Sequence, residues 1–110
     1  LLGAMGLGDL GLHFPDNNSE LKDIDSRILL KRIFDLVKKN KFIIGNLDVT
    51  ILAQEPKMVD YIPVMKENFA SDLNSKTSVI NIKATTTENM GFIGRGDGIA
   101  AHAVVLLLPA

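Results

Sequence analysis

Apolar residues recur at two periods along the chain, and the switches between them mark its elements. Leu29, Leu30, Ile33, Leu36 and Val37 fall at helical spacing, with Lys31, Arg32, Lys38 and Lys39 mostly on the other face. Asp25 or Ser26 is placed to cap this helix, and the late lysines suit the negative end of its dipole. From Leu47 the period becomes two: Leu47, Val49 and Ile51 alternate with Asp48, Thr50 and Leu52, which predicts a strand. Met58, Ile62, Met65, Phe69 and Leu73 return to helical spacing. Pro63 is tolerated there if the regular helix starts near Asp60, because first-turn N–H groups have no intrahelical partner. Val79 to Ala84 predicts a second strand, and Ile99 to Leu108 is aliphatic enough for a buried last strand.

The remaining stretches read as connections. Leu1 to Leu7 resembles the end of an apolar helix running into a glycine-rich turn at Gly8-Asp9-Leu10-Gly11. Residues 12–24 read as a surface loop, a natural lid because few apolar side chains anchor it. Gly91 to Gly98 reads as a glycine-rich loop. Strands alternate with helices, so the expected fold class is α+β, with a mixed β-sheet covered by helices on one face. The open face of such a sheet needs a partner, which favours an oligomer.

Length and composition narrow the classes. The chain has 110 residues, enough for one domain, and its hydrophobic (46%) and charged (23%) fractions are those of a globular protein. A net charge of −1 gives no broad electrostatic case for nucleic acid or an acidic membrane. The absence of cysteine excludes disulfides, thiolate chemistry and Cys-ligated zinc. No apolar run is long enough to span a bilayer. The first residues carry neither an initiator Met nor a basic flank, so the chain reads as a single domain over 1–110 that lacks its N-terminal part.

Three segments gather polar groups at element ends. In Gly8-Asp9-Leu10-Gly11 with Phe14-Pro15-Asp16, glycines permit close backbone approach and Asp9 could accept from sugar hydroxyls; a helix cap followed by a turn is the alternative. Ala53-Gln54-Glu55-Pro56-Lys57-Met58-Val59 joins a strand end to a helix start, where free backbone groups could read a planar base and Lys57 could meet a phosphate. Taken alone, an ordinary connecting loop is the simpler reading. Lys83-Ala84-Thr85-Thr86-Thr87-Glu88 places hydroxyls and N–H groups at a strand exit, suited to phosphate, with Glu88 as a hard oxygen ligand for Mg²⁺ or Mn²⁺. Threonines also simply favour strand edges. Gly91 to Gly98 lacks the Lys-Ser/Thr ending of a P-loop and the βαβ context of a dinucleotide fold, so both are rejected. Arg95 within it could bind a phosphate or stand solvated. His13 and His102 lack paired ligand spacing and read as structural.

The order of these motifs closely resembles the 2-C-methyl-D-erythritol 2,4-cyclodiphosphate synthase family. It runs from Gly8-Asp9-Leu10-Gly11 and Phe14-Pro15-Asp16 through Gly45-Asn46-Leu47-Asp48 and Ala53-Gln54-Glu55-Pro56-Lys57-Met58. It ends in Asn81-Ile82-Lys83-Ala84-Thr85-Thr86-Thr87-Glu88 and Gly94-Arg95-Gly96-Asp97-Gly98. The resemblance implies conversion of 4-diphosphocytidyl-2-C-methyl-D-erythritol 2-phosphate to the cyclic diphosphate with release of CMP, in non-mevalonate isoprenoid synthesis. It implies a homotrimer with sheets around the central axis and active sites between subunits. Bacterial cytoplasm or a plastid-type organelle fits that pathway.

Site residues follow from the same resemblance. Asp9, Leu10 and Gly11 are similar to contacts with ribose or methylerythritol hydroxyls, and Phe14, Pro15, Asp16, Asn17 and Asn18 to a flexible lid. Asn18 and Leu21 depart from the family's usual acidic and aromatic residues. Ala53, Gln54, Glu55, Pro56, Lys57, Met58 and Val59 resemble the cytosine pocket. Thr85, Thr86, Thr87 and Glu88 resemble the phosphate site, with Thr86 stabilising the transition state and Glu88 holding Mg²⁺ or Mn²⁺. Phe92 and Arg95 resemble residues beside an axial cavity able to hold an isoprenoid diphosphate, where His102 replaces a common acidic residue. The family's Zn²⁺ ligands, an Asp-x-His pair and a later His, lie upstream of this chain, as does a His-Ser pair that contacts the phosphates. Two other readings keep the same motifs: the cyclase part of a fusion with the cytidylyltransferase, and a non-catalytic trimeric module binding isoprenoid diphosphates.

Overall fold

The structure is a computed structural model describing residues 1–110. Three strands form one mixed sheet in the order β2-β1-β3. The central strand β1 (Phe42–Leu52) pairs in parallel with β2 (Ile80–Thr85) and antiparallel with β3 (Ala100–Pro109). A parallel pair needs a crossover, and α3 (Ile62–Asp72) supplies it. The sheet and the covering helices agree with the α+β expectation.

β1 begins five residues before the alternation that starts at Leu47. A bulge between Ile44 and Asn46 shifts the phase, so Ile44 and Leu47 are both buried although three residues apart. Gly45 occupies the bulge because a Cβ there would sit 3.0 Å from the Leu106 carbonyl oxygen.

The longest helix, α2 (Ser26–Lys39), follows its sequence signals. Asp25 accepts the Arg27 N–H at 2.8 Å as N-cap, and Ile33, Phe34 and Val37 are buried. In α3 the regular helix starts at Ile62 rather than near Asp60, with Pro63 in the first turn where its missing N–H costs nothing. Both helices pack on one sheet face. Phe34, Val37, Ile44, Leu47, Val49, Leu73, Ile80 and Ile82 make the core between them. Arg27 donates two hydrogen bonds, at 2.8 and 2.9 Å, to Asp72, whose side chain is 1% exposed; this fork joins α2 to the end of α3.

Three expectations are corrected. Leu1 to Leu7 is a 3₁₀ turn at Gly3–Met5, not a helix end, and Asp9 caps a short helix α1 (Leu10–His13) by accepting the Leu12 N–H. The 91–98 loop contains a helical turn, α4 (Gly91–Gly94), anchored by buried Ile93. Most consequential, β3 is not buried. It lies at the sheet edge with helices over one face only, so Val105 and Leu107 are half-buried while Val104 is 73% and Leu106 53% exposed. No helix is long and apolar enough to cross a membrane.

Candidate functional site

Parallel strands β1 and β2 end side by side, Leu52 opposite Thr85, and the Ala53 N–H donates to the Thr85 carbonyl at 3.0 Å. The two chains then diverge, leaving backbone groups free. Ligands settle outside the carboxyl ends of parallel strands for this reason. A cleft of about 300 Å³ opens there. The first wall comes from Ala53, Gln54, Pro56, Lys57, Met58 and Val59, the second from Ala84, Thr85 and Thr86. Glu55 lies on an adjoining polar recess with Lys57 and Thr86. The structure therefore brings together two of the three segments singled out in the sequence. Ile62, taken there only as a core position, also lines the cleft because it opens α3.

The three threonines are not equivalent. The Thr85 hydroxyl donates to the Thr86 carbonyl at 3.0 Å, and the Thr87 hydroxyl to the Met90 carbonyl at 2.7 Å. The Thr86 hydroxyl instead accepts the Glu88 N–H at 3.3 Å. Only Thr86 keeps its own proton uncommitted while facing the cleft, so it alone can donate to an incoming oxyanion without breaking an existing bond.

Glu88 follows in the left-handed region at φ 54°, and Asn89 at 62°. The Glu88 carboxylate is exposed and makes no hydrogen bond or ion pair. A single free carboxylate fits Mg²⁺ or Mn²⁺, which are commonly held by one or two carboxylates together with substrate phosphates. No group of three His, Asp or Glu side chains converges. His13 is engaged with the Leu7 carbonyl at 2.7 Å, and His102 is exposed on β3, opposite Thr50 of β1.

The other candidate residues lie elsewhere. Asp9 is occupied as a helix cap, and Gly11 follows in the same short helix. Leu10 lines an apolar groove beneath the sheet with Leu73 and Val105, not the cleft. Phe14, Pro15, Asp16, Asn17 and Asn18 form the surface stretch after α1, and none lines the cleft. Phe92 is exposed against Gly98, and Arg95 pairs with Asp97 at 3.0 Å. Lys83 turns to the open face of the sheet. There it and Asn81 hydrogen-bond Asp48 at 2.8 and 3.0 Å and hold that carboxyl below its usual range. It is therefore not a cleft cation; Lys57 is.

Comparison with known proteins gives the chain a family. The model of the YgbB family matches residues 1–108. The 2-C-methyl-D-erythritol 2,4-cyclodiphosphate synthase of Pseudoalteromonas translucida is 55% identical over 97% of this chain and 65% of its own length. The same-named protein of Geobacter sulfurreducens is 53% identical over 97% and 68%. Among solved structures, bifunctional IspDF from Campylobacter jejuni superposes with a TM-score of 0.91 at 43% identity, over 96% of this chain and 29% of that one. IspF from Plasmodium falciparum, as its CDP complex, gives 0.86 at 35% identity, over 98% and 64%. The chain thus spans about two thirds of the curated relatives it matches.

Proposed function

The chain belongs to the YgbB family, and on that premise we propose that it forms the cytidine and phosphate half of a 2-C-methyl-D-erythritol 2,4-cyclodiphosphate synthase. Its substrate is 4-diphosphocytidyl-2-C-methyl-D-erythritol 2-phosphate. The observation that supports this most is the meeting of residues 53–59 and 84–86 in one cleft at the ends of β1 and β2. One wall offers free backbone groups to a flat base, and the other offers N–H and hydroxyl groups to phosphates.

The reaction needs no protein nucleophile. An oxygen of the 2-phosphate attacks the diphosphate phosphorus next to methylerythritol, forming a P–O bond. The bond from that phosphorus to the bridging oxygen breaks, and CMP leaves with the oxygen and its electron pair. What the protein contributes is alignment and charge stabilisation. The 53–59 loop holds the base, which fixes the leaving group. The Lys57 ammonium offsets phosphate charge, and the Thr86 hydroxyl donates to a phosphate oxygen as charge moves through the transition state. Glu88 would hold Mg²⁺ or Mn²⁺, which when bound would neutralise the phosphate oxygens.

The protein is further proposed to assemble as a homotrimer. The apolar outer side of β3, with Val104, Leu106 and Leu108 exposed, supports burial against other copies. Cytidylate release from the substrate, with and without Mg²⁺, tests the activity; CDP titration by calorimetry tests the cleft. CDP binding by this chain is expected, and metal-dependent release by protein that also carries the family's upstream zinc ligands. No release and no CDP affinity would overturn the proposal.

A further inference from the structure

The Glu88–Asn89 turn depends on contacts from outside itself. Two successive non-glycine residues at φ 54° and 62° occupy a region that L side chains enter at a cost. Three contacts hold them there. Within the loop, the Thr86 hydroxyl accepts the Glu88 N–H. On the α4 side, Gly94 lies so close that an added methyl would fall 2.1 Å from the Asn89 carbonyl carbon. Across the cleft, Gln54 Oε1 accepts the Asn89 N–H at 3.2 Å from 35 positions away in sequence.

Gln54 is the side chain that joins the two walls. It lines the cleft itself, and its hydrogen bond to Asn89 is the one side-chain link between residues 53–59 and 85–95. Its backbone sits immediately after Ala53, the last residue tied to β2 through Thr85. Gln54 is thus the first residue of the base loop able to move when that loop is filled. The Glu88 carboxylate, by contrast, has no partner of its own, so the backbone turn, which sets the direction of its Cα–Cβ bond, is the only restraint on where it can reach.

We propose that Gln54 is a positioning residue, whose side-chain carbonyl couples occupancy of the base loop to the Glu88–Asn89 turn and thereby aims the Glu88 carboxylate at the phosphates. This rests on the cyclase reading. Base binding steadies residues 53–59, the steadied Gln54 holds the Asn89 N–H, and the left-handed turn stays closed. Correct seating of the cytidine end then presets the carboxylate at the phosphate end before the reacting groups align.

Gln54→Met keeps the length and the packing but removes the acceptor. A single hydrogen bond of ordinary net worth shifts such an equilibrium about fivefold. In the variant, the Asn89 amide should exchange with deuterium faster and kcat for CMP release should fall, the two fold-changes multiplying to about five, because exchange follows the open fraction of the turn and kcat the closed fraction. CDP affinity should stay within about twofold of wild type. Adding CDP should slow Asn89 exchange in the wild type and not in Gln54→Met. Gly94→Ala, which displaces the same turn from its other side, should give the same split between kcat and CDP affinity. Unchanged Asn89 exchange with unchanged kcat overturns the proposal. So does a loss of CDP affinity matching the loss of kcat, which would make Gln54 a base contact. A wild type that carries the family's upstream zinc ligands and still releases no CMP overturns the cyclase reading instead, and the CDP response of Asn89 then decides the coupling by itself.

Discussion

Leu73→Ala should be the most damaging simple truncation in this chain. Leu73 closes α3 and is 1% exposed, packed in the core with Phe34, Val37 and Leu47. Its surroundings cannot collapse to fill the space. Asp72, next in the chain, is pinned to Arg27 by two hydrogen bonds, and the Ser75 hydroxyl donates to the Leu73 carbonyl at 2.9 Å. The vacated volume would join the apolar groove that Leu73 already lines with Phe69 and Val105. A buried Leu→Ala change costs about 2–5 kcal/mol, and this site, rigid but opening onto a groove, belongs in the middle of that range, about 3–4 kcal/mol. For a chain of this size, each kcal/mol moves the melting temperature by about 4 °C, so Tm should fall by about 12–16 °C. Thermal unfolding followed by circular dichroism measures this directly. Half-buried Leu36→Ala serves as a control, with a loss of about 1 kcal/mol. CDP affinity measured well below Tm should hold, because Leu73 does not line the cleft. A Tm loss under about 4 °C, equal to that of the control, would refute the packing argument.

Glu88→Ala should abolish metal-dependent CMP release while leaving CDP affinity and assembly intact; full activity would remove Glu88 as the metal-binding carboxylate. Lys57→Ala should weaken CDP binding about fivefold, the upper scale of one solvent-exposed ion pair, as read by calorimetry, and an unchanged affinity would count against the cleft. The Arg27 fork, aided by the charges of Arg27 and Lys31 and opposed by burial, holds the Asp72 carboxyl below its ordinary value of 3.8. A depressed carboxyl contributes stability above its unfolded value, and that contribution disappears as pH falls through the folded one. Tm should therefore drop on acidification below about pH 4, and Asp72→Asn should flatten that limb at the expense of stability near neutrality. Val104→Lys, on the outer side of β3, should reduce the sedimentation coefficient to that of a single chain; an unaltered value would place the subunit contact elsewhere.

Sequence alone determined what depends on neighbours a few residues apart. The cap at Asp25, the buried stripe of Ile33 and Val37, and Pro63 in a first turn are each local chemistry, and each was legible. Ala53 to Val59 and Thr85 to Glu88 could also be singled out as candidate segments, because their residue types and order carry the family resemblance. Tertiary structure decided whatever needs two distant segments in one place. The bulge at Gly45 takes a glycine because Leu106 and Leu108 pass close by, and it hid the first half of β1 from a period-two reading. β3 reads as a buried strand because both of its sides are apolar, yet only one is covered by helices; its exposed side follows from strand order. Thr85, Thr86 and Thr87 are indistinguishable as letters. They separate only once the fold shows which hydroxyl protons are already committed to the backbone. The link from Gln54 to Asn89 is likewise invisible in the sequence, since a hydrogen bond between positions 35 apart leaves no periodicity behind. It arises because two parallel strands end at the same level and release their loops side by side.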